Sequence, residues 1–149
     1  MSRRIMLNGT SYFGQGAIQE IVNEIKNRHF KKVLVTSTPD LFEFKVATKV
    51  TDLLDAAGIA YDVYDNIKPN PTIENVTSGV AACKAAGADV IVAVGGGSAI
   101  DTSKAIATIM TNPEFSDVRS LEGVAPTKHP CLPIIAVSTT SGTAAEVTI

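Results

Sequence analysis

A chain of 149 residues is the size of one ordinary domain, long enough to bury a hydrophobic core of its own. With 45% hydrophobic and 19% charged residues, it sits among globular proteins and outside the disordered and fibrous classes. A formal net charge of −2 is not the balance of a protein that tracks phosphate backbones, so nucleic acid is not expected as a partner.

Cys83 and Cys131 match no C-x-x-C spacing, which argues against a disulfide framework or zinc ribbon and suits a reducing cytoplasm. Behind Met1-Ser2-Arg3-Arg4 the apolar stretch Ile5-Met6-Leu7 is too short for a secretory signal. The longest apolar runs, residues 90–94 and 132–137, fall far below the roughly 20 residues that span a bilayer, so no membrane association is expected.

Taken in chain order, Asn8-Gly9 lies between residues 4–7 and 11–13 and predicts an amino-terminal β-hairpin. A helix is expected over 17–28, with Ile18, Ile21, Val22 and Ile25 on one face. Residues 32–36 read as a buried strand. Beyond Pro39-Asp40 the spacing of Phe42, Val46, Val50, Leu53, Leu54 and Ala57 predicts one helix, ended by Gly58. A second strand over 59–64 leads to the break Lys68-Pro69-Asn70-Pro71-Thr72 and to a helix carrying Ile73, Val76 and Val80 that stops at Gly87. Residues 89–94 form a continuous, largely β-branched strand, a glycine run turns the chain, and helix resumes from Ser98 to about Thr111. A long connection, 112–133, precedes the last strand, 134–137, and a polar loop, 138–143. Residues 144–149 read as the opening of another element. Short apolar runs alternating with helical periods predict an α/β fold, a parallel sheet flanked by helices.

The chemistry concentrates in two loops. Gly95-Gly96-Gly97-Ser98 and residues 138–143 each follow a strand, and in a parallel sheet both fall on the carboxyl edge, where open α/β sheets bind ligands. Three glycines let an anion approach the main chain at the start of a helix, whose N–H groups and dipole favour a phosphate. The competing reading of Ser98-Ala99-Ile100-Asp101 is a capping box that touches no ligand. The loop is neither a Walker A nor G-x-G-x-x-G, since Ile100 stands where the third glycine would be, and the residues alone reach only a nucleotide or phosphate ligand. The second loop offers the hydroxyls of Thr139, Thr140, Ser141 and Thr143. Asn70, between two prolines, is either a turn residue or a contact at the same edge. His29 and His129 read as solvated imidazoles, and Cys83 as core packing.

In their order and spacing, Pro69-Asn70-Pro71-Thr72, Gly95-Gly96-Gly97-Ser98 with Asp101 and Lys104, and the run 139–148 resemble the amino-terminal half of the iron-containing alcohol dehydrogenases. The similarity covers the whole chain, and the stretch 112–123 is similar to the members that act on small diols. The resemblance implies that residues 1–149 are a Rossmann-like domain holding NAD or NADP. It also implies a helical domain after residue 149, whose carboxylate and histidines bind a catalytic divalent iron or zinc. By similarity Gly96, Gly97 and Ser98 would hold the pyrophosphate and Asp101 the nicotinamide side. Asn70 would line the cleft, and Thr139, Thr140 and Thr143 would contact adenine and phosphates. No catalytic residue or metal ligand is expected within 1–149. The metal would polarise a small alcohol or aldehyde as a Lewis acid while hydride moves to or from the nicotinamide. A cytoplasmic homodimer, associated through the first strand, fits the same resemblance.

One position departs from that pattern. Thr38 stands where NAD-preferring members carry an Asp that accepts hydrogen bonds from the adenosine ribose and repels a 2′-phosphate, so Thr38 is expected to leave the choice between NAD and NADP open. Glycerol dehydrogenases and dehydroquinate synthases share the same cleft, and a free-standing nucleotide-binding module without catalysis is the alternative from another class.

Overall fold

Two segments string β-branched and other apolar residues together without a polar break, and they occupy the middle of the sheet. The computed structural model describes residues 10–12, 15–68, 71–113 and 130–139. In it β1 (Lys32–Thr36) and β3 (Val90–Gly95) lie side by side, with β2 (Ala60–Tyr64) and β4 (Ile134–Ser138) outside them. The order is β2-β1-β3-β4, and all pairings are parallel, with Val33 opposite Val90, Val35 opposite Val63 and Val92 opposite Ile135. Every residue of β3 is buried, as a strand covered on both faces requires, whereas β2 and β4 are mostly half-buried or exposed.

The pleat sorts the core into two layers. On one face Val33, Val35, Val90, Val92 and Val94 pack with Ile21 and Ile25 of α1 (Glu20–Asn27) and Val50 and Leu54 of α3 (Thr48–Ala57). On the other, Leu34 and Ile91 meet Val76, Val80 and Cys83 of α4 (Ile73–Ala86) and Ile106, Ala107 and Ile109 of α5 (Gly97–Thr111). Right-handed crossovers explain the division. The chain leaves β1 toward β2 through α3. It then returns past β1 to β3 through α4 and continues outward to β4 through α5, so reversing direction moves the helices to the opposite face. The expected α/β architecture of a parallel sheet flanked by helices is the one observed.

The predicted helix over 42–57 is two helices. The first, α2 (Pro39–Glu43), ends where Lys45 turns to φ +60°, and α3 begins at Thr48. The Lys45 and Val46 N–H groups bond back to the Phe42 and Leu41 carbonyls at 3.0 and 2.8 Å, a Schellman ending. Gly58 and Gly87 close α3 and α4 in the same way, as expected, whereas a lysine carries no sign of the left-handed conformation and the break was therefore hidden. His29 closes α1 likewise at φ +58° and is exposed, in keeping with a solvated imidazole. Cys83 is fully buried in the core. The expected hairpin, residues 144–149 and His129 lie largely or wholly outside the described residues, and Thr10, Ser11 and Tyr12 belong to no strand. Among the described residues no helix is long and apolar enough to cross a membrane.

Candidate functional site

The sheet has one point at which successive connections diverge. From β1 the chain departs toward β2, and from β3 it departs toward β4, so the carboxyl ends of these adjacent strands border a crevice. Such a switch point is where doubly wound sheets take their ligands.

Ser37 shows how the crevice opens. Its N–H continues the ladder to β2 by bonding the Tyr64 carbonyl at 3.1 Å, while pairing with β3 stops at Thr36 opposite Ala93. The next β3 carbonyl, that of Val94, receives instead the Ser37 hydroxyl at 2.8 Å, so the two backbones separate without leaving a buried acceptor unpaired. Both Thr36 and Ser37 are fully buried. The next residue, Thr38, is half-buried, extended at φ −87° and ψ 154°, and is the N-cap of α2 with Pro39 at the first helical position. Its side chain makes no capping hydrogen bond.

Across the crevice, the turn from β3 into α5 occupies three residues. Gly95 has φ +147°, and a Cβ on it would lie 2.7 Å from the Ala99 Cβ, so this position requires glycine on both counts. Gly96 is the N-cap of α5, and Gly97 and Ser98 are its first two helical residues; all three are half-buried. The capping-box reading of Ser98 is thereby corrected, because the cap position belongs to a residue with no side chain and Ser98 lies inside the first turn. The first-turn N–H groups of a helix 15 residues long, with the positive end of its dipole, therefore face the crevice behind a side-chain-free cap. With no Cβ at 96 and 97, the main chain at this helix start is open to close approach by an anion.

Asp101 lies one turn further along α5 and is exposed. On the far side of β3, Gly95 pairs with Ser138 at the end of β4, and the exposed Thr139 donates its N–H to the Gly95 carbonyl at 3.0 Å. The structure thus brings Thr38, Gly96, Gly97, Ser98 and Thr139 to one sheet edge, with Asp101 one turn further along α5. Asn70, Thr140 and Thr143 lie outside the described residues. The approach to Asn70 is held by Asn75, buried at the start of α4, whose amide donates to the Asn66 carbonyl at 2.9 Å and accepts from the Lys68 N–H at 3.3 Å. Among the described residues no group of three or more His, Cys, Asp or Glu is placed to hold a metal ion.

Sequence reasoning passed over Ser37 and the buried hydroxyls of Thr36 and Ser103. The available signal was polarity in the wrong place: Thr36-Ser37 at the buried end of β1, and a serine on the sheet-facing side of α5.

The family model for iron-containing alcohol dehydrogenases matches residues 8–149. Lactaldehyde reductase of Escherichia coli K12 is 50% identical over all 149 residues, which span 39% of that protein. A solved 1,3-propanediol oxidoreductase superposes with TM-score 0.92 at 32% identity, over 99% of this chain and 38% of that one. Sulfoacetaldehyde reductase from Bifidobacterium kashiwanohense, solved in complex with NAD+, superposes with TM-score 0.83 at 28% identity, over 99% and 39% respectively. Switch-point crevice, glycine turn and overall match agree: the chain belongs to the iron-containing alcohol dehydrogenases.

Proposed function

We propose that residues 1–149 are the dinucleotide-binding half of a metal-dependent alcohol dehydrogenase. The complete enzyme interconverts a small alcohol or diol with its aldehyde, of the lactaldehyde and 1,2-propanediol type, by hydride transfer. The observation that carries this reading is the half-buried Gly96-Gly97-Ser98 turn at the α5 amino terminus, opening on the β1/β3 switch point. The NAD+ complex of sulfoacetaldehyde reductase and the 50% identity to lactaldehyde reductase support it.

In this reading the first-turn N–H groups of α5 at Gly97 and Ser98, with Gly96, bind the pyrophosphate, and the absence of Cβ atoms at 96 and 97 lets it approach the main chain. Asp101 orients the nicotinamide side. Thr38 meets the adenosine ribose, Thr139, Thr140 and Thr143 contact adenine and phosphates, and Asn70 lines the cleft. When bound, NAD or NADP supplies the hydride acceptor, and a divalent iron or zinc held by a second, helical domain polarises the substrate oxygen. This half contributes binding and orientation rather than a catalytic group. A cytoplasmic homodimer completes the proposal.

The test is calorimetric titration of NADH into a polypeptide carrying both halves. Gly97→Val places two methyl groups in the assigned pyrophosphate space, and nucleotide binding is expected to fall below detection while the protein stays folded. Unchanged affinity in a folded Gly97→Val protein would show that the glycines serve only the turn.

A further inference from the structure

Helix α5 carries the residues assigned to the pyrophosphate, yet much of what holds it to the sheet is small or apolar: Ala99, Ile100, Ile106 and Ala107 are all buried. Apolar contacts of this kind are non-directional and define a helix's position along its own axis only loosely. Hydrogen bonds are directional, and one buried pair joins α5 to β1. The Thr36 Oγ1 lies 2.7 Å from the Ser103 Oγ, with both side chains fully excluded from solvent. Ser103 Oγ also lies 2.7 Å from the Ala99 carbonyl. A carbonyl can only accept, so the single Ser103 proton goes to Ala99, and the proton between the two hydroxyls must come from Thr36.

The result is a one-way chain running from Thr36 through Ser103 to the carbonyl of Ala99. Its ends are informative. Ala99 is in the first turn of α5, directly after Ser98, and its Cβ sits where Gly95 has none. Thr36 ends β1, two residues before Thr38, and its neighbour Ser37 supports the β1/β3 separation. The chain therefore spans the base of the crevice and joins its two walls. Charge-assisted bonds from main-chain N–H groups to a phosphate need donor–acceptor distances within a few tenths of an ångström, so a small slide of α5 weakens all of them together.

We propose that Thr36 and Ser103 are positioning residues for the dinucleotide, their buried hydroxyl bridge holding the α5 first turn against the end of β1 so that its N–H groups meet the pyrophosphate. This rests on the nucleotide-binding reading above and assigns it two residues that make no contact with the ligand.

Thr36→Val is the cleanest perturbation in the two-half polypeptide, because it keeps the side-chain shape and leaves Ser103 still bonded to Ala99. The dissociation constant for NADH is expected to rise about 3- to 10-fold, and KM for the nucleotide is expected to rise by more than kcat falls. Thr36→Ser, which keeps the hydroxyl, is expected to restore most of the affinity. Ser103→Ala removes both links and should weaken NADH at least as much, with Thr36→Val adding little in that background. It also answers the question should the valine variant fold poorly. A purely structural bridge predicts a different pattern, a lower melting temperature with NADH affinity unchanged in the folded variants, and that pattern overturns the proposal while leaving the nucleotide site intact. Equal weakening in Thr36→Ser and Thr36→Val also overturns it. Absence of NADH binding by the unsubstituted protein overturns the nucleotide reading and this inference with it.

Discussion

At Thr38 one side chain has two employments open to it, and they exclude each other. As N-cap of α2 it stands where Ser, Thr, Asp or Asn commonly accept a bond from the helix's first turn, yet its hydroxyl makes no such bond. An unused cap at the end of β1, beside the crevice, is consistent with a side chain turned toward a ribose. A hydroxyl can exchange hydrogen bonds with a 2′-hydroxyl but sets no charge against a 2′-phosphate, so the complete enzyme is expected to discriminate only modestly between NADH and NADPH. Thr38→Asp should sharpen the preference for NADH. A like-charge contact at a partly exposed site is worth on the order of 1–3 kcal/mol, or about 5- to 150-fold in relative kcat/KM. The competing outcome is also specific: if the new carboxylate takes up the vacant cap instead, the melting temperature rises and the NADH to NADPH ratio stays put. Measuring both quantities in wild type and variant separates the two employments.

The helices show where periodicity reads well and where it stops. Apolar spacing located α1, α4 and α5, and the glycines at 58 and 87 located the ends of α3 and α4, because those signals are local. The break between α2 and α3 escaped, since the residue that reverses the chain is Lys45, and only the Schellman bonds to Leu41 and Phe42 reveal it. Pairings between elements were equally hidden. The contact of α4 with α5 depends on Gly79, which no periodicity marks as special. A Cβ there would lie 2.3 Å from the Ile106 Cδ1 and 3.3 Å from a ring carbon of Tyr64. Ile106 is fully buried, so its methyl has little room to withdraw. Gly79→Ala gains helix propensity of about 1 kcal/mol but should nonetheless be neutral to destabilising, by up to roughly 2 kcal/mol, because overpacking a filled core costs about 1–3 kcal/mol. Ile106→Val removes the clashing methyl. Alone it should cost about 0.5–1.5 kcal/mol, and in the Gly79→Ala background less, or nothing. Denaturant unfolding of the four proteins measures the coupling; strict additivity would mean that the helices do not approach as closely as the structure shows.

For the molecule as a whole, the parallel α/β architecture was legible and the chemistry at its centre only partly so. Continuous apolar runs marked β1 and β3 as strands, their place inside the sheet being visible only in the structure, and the rule that ligands gather at the carboxyl edge brought the glycine turn and Thr139 to one edge from the residues alone. What remained hidden joins residues far apart in the chain: Thr36 and Ser103 are 67 positions apart, and nothing in either neighbourhood announces the other. Two tyrosines form similar ties on the outside of the molecule, and they make stability depend on pH in a predictable direction. Tyr61 of β2 donates its hydroxyl to Asp55 of α3 at 3.1 Å, and Tyr12 donates to Glu24 of α1 at 2.6 Å. Burial, then the bond to Asp55, raises the Tyr61 phenol above its ordinary value near 10; for Tyr12 the bond to Glu24 leads, followed by burial. A phenol that holds its proton more tightly in the folded state than in the unfolded one stabilises fully below pH 10, and that contribution disappears as pH rises through the folded-state value. Stability should accordingly fall above pH 10 as these protons are lost. Tyr61→Phe forfeits the bond to Asp55 at every pH but has no phenol to ionise, so its urea midpoint should start slightly below wild type at pH 8 and decline less steeply between pH 10 and 11. Every other residue is the same in both proteins, so contributions from the rest of the chain cancel from the difference. If the two midpoints fall in parallel across that window, Tyr61 holds its proton no more tightly in the folded chain than in the unfolded one, and the β2 to α3 tie contributes nothing to the alkaline limit of the fold.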